Sequence, residues 1–151
     1  MFTITRAIEY ALAKKQQRTS RLSVEFLNWA SNQAAHDRKD GSFFSDLWKG
    51  FTVYGVCPEE DMPYQDEFDR RRTPSDEARE HALQIRENDF RMHWIKRWNP
   101  NTGLTDDQLL EIKRTLNQRW PVCGGFRWPK KPVKWTDDVL ETPPPGTSRP
   151  A

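Results

Sequence analysis

Apolar residues recur every three to four positions through the first half of the chain, which is the spacing of one face of an α-helix. This spacing predicts helices over residues 2–15, 24–34 and 43–54. A fourth and more polar helix is predicted from Thr73 to about Glu87, with Pro74 suited to its first helical position.

Capping preferences mark the ends of these predicted helices. Ser23 precedes the second helix, where its hydroxyl can accept a hydrogen bond from a free backbone N–H, and Gly55 follows the third. No capping residue precedes Phe2, so we expect the first helix to be the back portion of a longer one. Residues 56–64 contain two prolines and are predicted to be extended.

The pattern changes in the second half. Residues 90–95 alternate between apolar and polar as a strand does, and residues 121–126 are a second predicted strand. Between them, a capping box at Thr105–Gln108 predicts a helix that ends near Gln118. The face expected to be buried consists of Leu109, Leu110, Ile112, the stem of Lys113 and Leu116. From Lys130 the chain is rich in proline and predicted to be irregular. Helices followed by strands indicate an α+β fold, with the change near residue 88.

Composition narrows the possible partners. The 24 basic and 22 acidic side chains are interspersed, so no strong field would steer nucleic acid to the surface. Acidic residues surround the one basic run, Arg70–Arg72, which we interpret as a neutralised linker. The open alternatives are that this run binds phosphate, or nucleic acid with tryptophans as stacking surfaces. No apolar stretch reaches the roughly 20 residues that a membrane span needs.

Cysteine and histidine give no sign of a metal centre. Cys57 and Cys123 do not have zinc-ligand spacing, and His36, His81 and His93 are scattered along the chain. We therefore expect neither a metal nor a cofactor.

Two stretches of the chain resemble landmarks of the papain-like cysteine peptidases. The first begins at Leu22–Leu27 (LSVEFL), continues through Gly41–Phe44 (GSFF) and ends at Tyr54–Tyr64 (YGVCPEEDMPY). It is similar to a helix start, a Gly-Gly loop and a "YGVCxEExxPY" segment in that family. The second, Leu109–Phe126, is similar to the family's helix-to-strand passage around Ile112-Lys113 and Pro121-Val122.

This resemblance implies an α+β, papain-like fold. Residues 1–88 would form the helical left lobe, truncated at the start of its central helix. Residues 89–151 would form an incomplete β-barrel right lobe with a proline-rich end. The function implied is cysteine-type peptide-bond hydrolysis on a peptide or protein substrate, with no nucleic-acid or membrane partner and the oligomeric state open.

The resemblance also places the catalytic residues outside this sequence. Counting back from Phe2 and Ala7–Glu9, the nucleophilic cysteine should fall two positions before Met1, and the histidine should follow Ala151. Cys57 fits a non-nucleophilic cysteine of the family, and Cys123 is expected to be a small buried apolar residue. The chain is therefore expected to be an inactive fragment without catalytic residues of its own. The alternative is a non-catalytic relative that binds peptides.

By position, the resemblance assigns substrate binding to the loop before the third helix. Gly41 and Ser42 would contact the substrate backbone, and Phe43 and Phe44 would lie near the pocket for an apolar side chain. Ser42 stands where the family has the second glycine of its pair, which changes the closest backbone approach. Phe43 and Phe44 could equally belong to the core of the third helix.

Overall fold

The computed structural model describes residues 1–17, 19–99, 101–125, 135–136 and 139–140. Five helices lie within these residues: α1 Phe2–Gln16, α2 Val24–Ala35, α3 Phe44–Tyr54, α4 Asp76–Arg86 and α5 Asp106–Asn117. Two short strands, β1 Trp135–Thr136 and β2 Val139–Leu140, pair antiparallel with Trp135 opposite Leu140. Every described helix is too short or too polar to cross a membrane.

The first three helices enclose the main hydrophobic core. α1 contributes Ile4, Ile8 and Leu12, whose spacing of four residues places them on one face of the helix. They pack with residues of α2 and α3 and of the segments just before α2 and just after α3, namely Leu22, Leu27, Leu47, Phe51 and Val56. Burial of these apolar side chains is the main force that holds the three helices together.

A second apolar cluster joins α2 to α4. Phe26 and Ala30 of α2 pack with Ala78 and Ala82 of α4, and Cys57 and Met62 complete the buried set. The alanines allow α4 to lie close to its neighbours. Gly55, which ends α3 with φ of 77°, also lies against Ala82, and a Cβ at Gly55 would collide with the Ala82 carbonyl oxygen.

Most of the predicted helix ends are confirmed. The Ser23 hydroxyl accepts a hydrogen bond from the Phe26 N–H at 2.9 Å, and Gly55 caps α3. The Thr105–Gln108 capping box is also present. The predicted start of α4 was wrong by two residues, because Ser75 caps the helix in place of the Thr73-Pro74 pair.

The prediction of an α+β fold with a β-barrel lobe was wrong. Residues 90–95 and 121–125 form no strand, and the described part of the chain contains five helices and four strand residues. Alternation is a property of one segment, whereas a strand also needs a neighbour that pairs with its backbone. The side chains of Phe90 and Met92 pack against the α1–α3 core, which explains the apolar positions of the first segment without a sheet.

The buried face predicted for α5 was also wrong. α5 packs against none of the other described helices, and none of its residues is buried. Leu109, Leu110 and Leu116 are all exposed. The capping box stabilises the helix locally, but burial of its apolar face would require a partner element.

Gly50→Ala should destabilise the protein because α2 and α3 touch at Gly50. A Cβ there would lie 2.5 Å from the Ser31 nitrogen and 2.7 Å from the Ala30 carbonyl carbon, both backbone atoms that cannot move alone. We expect the free energy of unfolding to fall by about 1–3 kcal/mol in urea denaturation. Gly103→Ala is the matched control, because a Cβ there meets open space. An equal effect of both substitutions would show that the contact at Gly50 is unimportant.

Candidate functional site

The loop between α2 and α3 contains the residues assigned to substrate binding. His36 ends α2 in the left-handed conformation with φ of 54°, and Gly41 adopts φ of 80° before the chain enters α3. Glycine tolerates that backbone angle without strain, whereas most other residues do not. Apart from its two chain neighbours, no described residue has an atom within 4 Å of the position that a Cβ of Gly41 would take, so the loop surface is open at this point.

Two asparagines of α2 hold the loop in place. The Asn32 amide donates to the Lys39 carbonyl at 2.9 Å, and its side-chain oxygen accepts from the Lys39 N–H at 3.3 Å. The Asn28 side-chain oxygen accepts from the Gly41 N–H at 3.2 Å. Asn28 and Asn32 are only 2% and 7% exposed, so these bonds are sheltered from water. The loop is therefore fixed to the helix at two points.

Sequence analysis missed these anchoring residues. Asn28 and Asn32 lie four positions apart, which places them on one side of α2, and that side turned out to be buried. A pair of amides at this spacing in an otherwise apolar helix is a detectable signal, because buried polar side chains are nearly always hydrogen-bonded.

Ser42 presents free backbone groups. Its peptide N–H and carbonyl have no hydrogen-bond partner within the described ranges, and its hydroxyl lies 3.5 Å from an Asp46 carboxylate oxygen. The next carbonyl, that of Phe43, is already used, because it accepts from the Asp46 and Leu47 N–H groups at 3.0 Å each. Ser42 is thus the last residue before α3 with both backbone groups available.

The two phenylalanines after Ser42 have different surroundings. Phe43 is 65% exposed, whereas Phe44 is partly buried and packs against the α1–α3 core. Phe43 is available to a ligand beside the free backbone groups of Ser42, and most of the Phe44 ring is occupied by contacts within the protein.

The start of α1 lies near this loop. Burial lowers the pKa of the Met1 amino group below its usual range, and the nearby Asp40 carboxylate acts in the opposite direction. The side chains of Met1 and of Phe44, which follows the loop, both pack against the α1–α3 core. The loop and the first turn of α1 therefore belong to one region of the surface.

Neither thiol of the chain is activated. Cys57 is fully buried, and burial, with a smaller contribution from the Asp61 carboxylate, raises its pKa to about 12. Burial also raises the pKa of Cys123, whose sulfur lies 3.5 Å from the Thr3 carbonyl oxygen. A nucleophilic cysteine needs a lowered pKa, usually from a helix N-terminus or a cationic neighbour. Both cysteines remain protonated thiols at neutral pH.

The histidines pair with carboxylates. His81 Nδ1 lies 2.8 Å from Asp61 Oδ2, and His93 Nε2 lies 2.9 Å from Glu111 Oε1. His36 is exposed where α2 ends. Among the residues that the structure describes, no histidine is hydrogen-bonded to a cysteine, and no group of three potential ligands could hold a metal.

The basic run considered for nucleic-acid binding is partly engaged in the fold. The Arg72 guanidinium donates to the Pro63 carbonyl at 2.8 Å and lies 3.9 Å from Glu25. These contacts tie one of its three arginines to the start of α2.

Comparisons with protein families, with curated proteins and with solved structures found no match to this chain.

Asn28→Ala should loosen the loop while leaving the helices in place. The substitution leaves the Gly41 N–H without its partner, and we expect the free energy of unfolding to fall by about 1–3 kcal/mol. Hydrogen exchange at the Gly41 amide should become faster in the variant. Gln33→Ala, at an exposed position of the same helix, is the control and should change neither quantity. Unchanged exchange at Gly41 in Asn28→Ala would contradict the anchoring role.

The His81–Asp61 pair predicts a dependence of stability on pH. The hydrogen bond to Asp61 raises the pKa of His81 above its usual value. The stabilisation is therefore complete below about pH 6.5, the unfolded-state value, and is lost as pH rises through the higher folded-state pKa. Thermal unfolding of the wild type and of His81→Gln should show a difference in melting temperature that shrinks from pH 6 to pH 9. Asp61→Asn should remove the same dependence, and a difference that grows with pH would contradict the assignment.

Proposed function

We propose that this chain binds an extended peptide along Gly41–Phe43 and acts in cysteine-type proteolysis by supplying substrate binding. The observation that carries the proposal is the pair of free backbone groups at Ser42, on a loop that Asn28 and Asn32 hold in place. An extended peptide can pair its own N–H and carbonyl groups with such a segment, as it does with the edge of a sheet. The resemblance of residues 22–64 to the peptidase family supports the same assignment.

Phe43 would supply the side-chain preference. Its ring is exposed beside Ser42, so a large apolar side chain of the peptide could cover it and remove apolar surface from water. We therefore propose peptides with a leucine- or phenylalanine-like residue at the position that faces Phe43. Phe44 would hold the end of the loop in position, because its side chain packs against the α1–α3 core.

Within the described residues, no cysteine and histidine form the pair that cysteine-type cleavage needs. Cleavage requires a thiolate and an imidazole that exchanges protons with it. Cys57 is buried with its pKa raised to about 12, and His81 and His93 pair with carboxylates. The same observations favour a second candidate, a peptide-binding module that takes no part in cleavage.

Titration with a fluorescent extended peptide that contains one leucine tests the binding site. We expect saturable binding, and Phe43→Ala should weaken it about tenfold because the leucine loses its apolar contact. Leu116→Ala, which truncates another exposed apolar side chain, should leave binding unchanged. A peptide with alanine in place of the leucine should bind both proteins equally weakly.

A second comparison tests the backbone pairing. Methylation of the peptide nitrogen that faces the Ser42 carbonyl removes one donor and should weaken binding about 2- to 10-fold, the effect of one hydrogen bond. Methylation of the neighbouring nitrogen is the control. Absence of saturable binding by any of these peptides would refute the proposal.

An electrophilic peptide probe distinguishes the two candidates. Applied to the protein as its own cells make it, the probe should label a cysteine other than Cys57 and Cys123 if the chain acts in cysteine-type proteolysis. Peptide binding without labelling would instead support the non-catalytic module.

A further inference from the structure

A second concave surface lies where α2, the end of α3 and α4 meet. This aromatic groove is lined by Phe26, Trp29, Tyr54, Arg79 and Leu83 and has a volume of about 330 Å³. Phe26 is fully buried and forms its floor, Trp29 and Tyr54 are partly buried, and Leu83 is exposed at its rim. None of these residues belongs to the Gly41–Phe43 loop. The volume lies at the lower end of the range for ligand pockets, so it suits a short segment.

Three aromatic rings define the walls of the groove. The Trp29 ring lies between the other two, 5.3 Å from Phe26 and 5.2 Å from Tyr54 between ring centroids. The Phe26 and Trp29 rings are tilted by 60°, and the Trp29 and Tyr54 rings meet edge to face at 64°, so neither pair forms a flat stack. A ligand in the groove would therefore meet inclined ring surfaces.

Three side chains of the groove carry hydrogen-bond donors, and the Tyr54 hydroxyl can also accept. The Trp29 indole N–H and the Tyr54 hydroxyl make no hydrogen bond within the described residues, and neither atom is buried. The Arg79 guanidinium lies 5.5 Å from the Trp29 ring centroid, and of its five N–H donors only one nitrogen contacts an acceptor, Asp76 at 3.4 Å. No carboxylate lines the groove. The groove thus combines apolar ring surface with groups that donate hydrogen bonds.

We infer that the aromatic groove binds an extended proline-rich peptide segment of a partner protein. A polyproline II helix has no internal hydrogen bonds, so its carbonyl groups are free to accept. Proline has no N–H, so such a segment needs donors from its partner and no acceptors. Its rings pack on aromatic side chains, and its preformed shape reduces the entropy lost on binding. A helical ligand would instead have its carbonyl groups occupied. A strand would need an acceptor for each of its N–H groups, and the Tyr54 hydroxyl is the one side-chain acceptor among the lining residues.

Titration of the whole chain with fluorescein-labelled octaproline, followed by fluorescence anisotropy, tests the inference. We expect saturable binding, which an octapeptide of alternating glycine and serine should not show. Trp29→Phe and Tyr54→Phe each remove one donor and keep a ring, and each should weaken binding about 3- to 10-fold. Trp98→Phe is the matched control, because Trp98 is exposed elsewhere on the surface.

Two further measurements make the outcome decisive. The indole N–H resonance of Trp29, assigned by its loss in Trp29→Phe, should shift on addition of octaproline. Urea denaturation of Tyr54→Phe should match the wild type, which separates a lost donor from a lost fold. Octaproline that fails to bind, or that binds equally to Tyr54→Phe and to wild type, overturns the inference. Binding lost in Phe43→Ala but kept in Tyr54→Phe also overturns it, because the peptide would then lie at the loop.

Discussion

The contact between α2 and α3 at Gly50 fixes the geometry on which both proposed binding surfaces depend. The two helices approach so closely there that a Cβ would lie 2.5 Å from the backbone of Ser31. The Ser31 hydroxyl is buried at the same place without a hydrogen-bond partner among the described residues, a cost that close packing must offset. The short distance between α2 and α3 determines how far the Gly41 loop must extend to connect them. It also brings Tyr54, at the end of α3, beside Trp29.

α2 is the element that the other parts share. One side contributes Leu27 to the core with α1 and α3, and another contributes Phe26 and Ala30 to the cluster with α4. A third side places Asn28 and Asn32 under the loop. A polar side chain buried on such a helix needs a hydrogen-bond partner, and Asn28 and Asn32 find theirs in the backbone of the loop.

The sequence predicted the features that depend on residues close together in the chain. It did not predict the features that depend on contacts between distant elements. The bounds of α1 to α3, the Ser23 cap and the Thr105 capping box follow from local hydrogen bonding and spacing. The prediction of a strand at 90–95 was wrong because a strand needs a second strand that pairs with it. The prediction that one face of α5 is buried was wrong because no other described helix packs against that face. Gly41 was selected as a candidate site residue by resemblance, whereas its anchors on α2, Asn28 and Asn32, were missed although their spacing of four is visible in the sequence. Sequence analysis could not predict the aromatic groove, because its five lining residues come from three helices.

The contacts around Cys57 explain why its thiol is not a nucleophile. The Ser23 N–H donates to the Cys57 carbonyl at 2.9 Å, and the Ser23 hydroxyl donates to the Met62 carbonyl at 2.5 Å, so the segment is joined to the start of α2. The Cys57 side chain fills the cluster between α2 and α4, where burial disfavours a thiolate. A reactive Cys57 would require a lowered pKa, and the other buried members of the cluster, Phe26, Ala30, Met62, Ala78 and Ala82, carry no charge that could stabilise a thiolate. The apolar packing that includes Phe26, the buried ring of the aromatic groove, therefore disfavours nucleophilic chemistry at this cysteine.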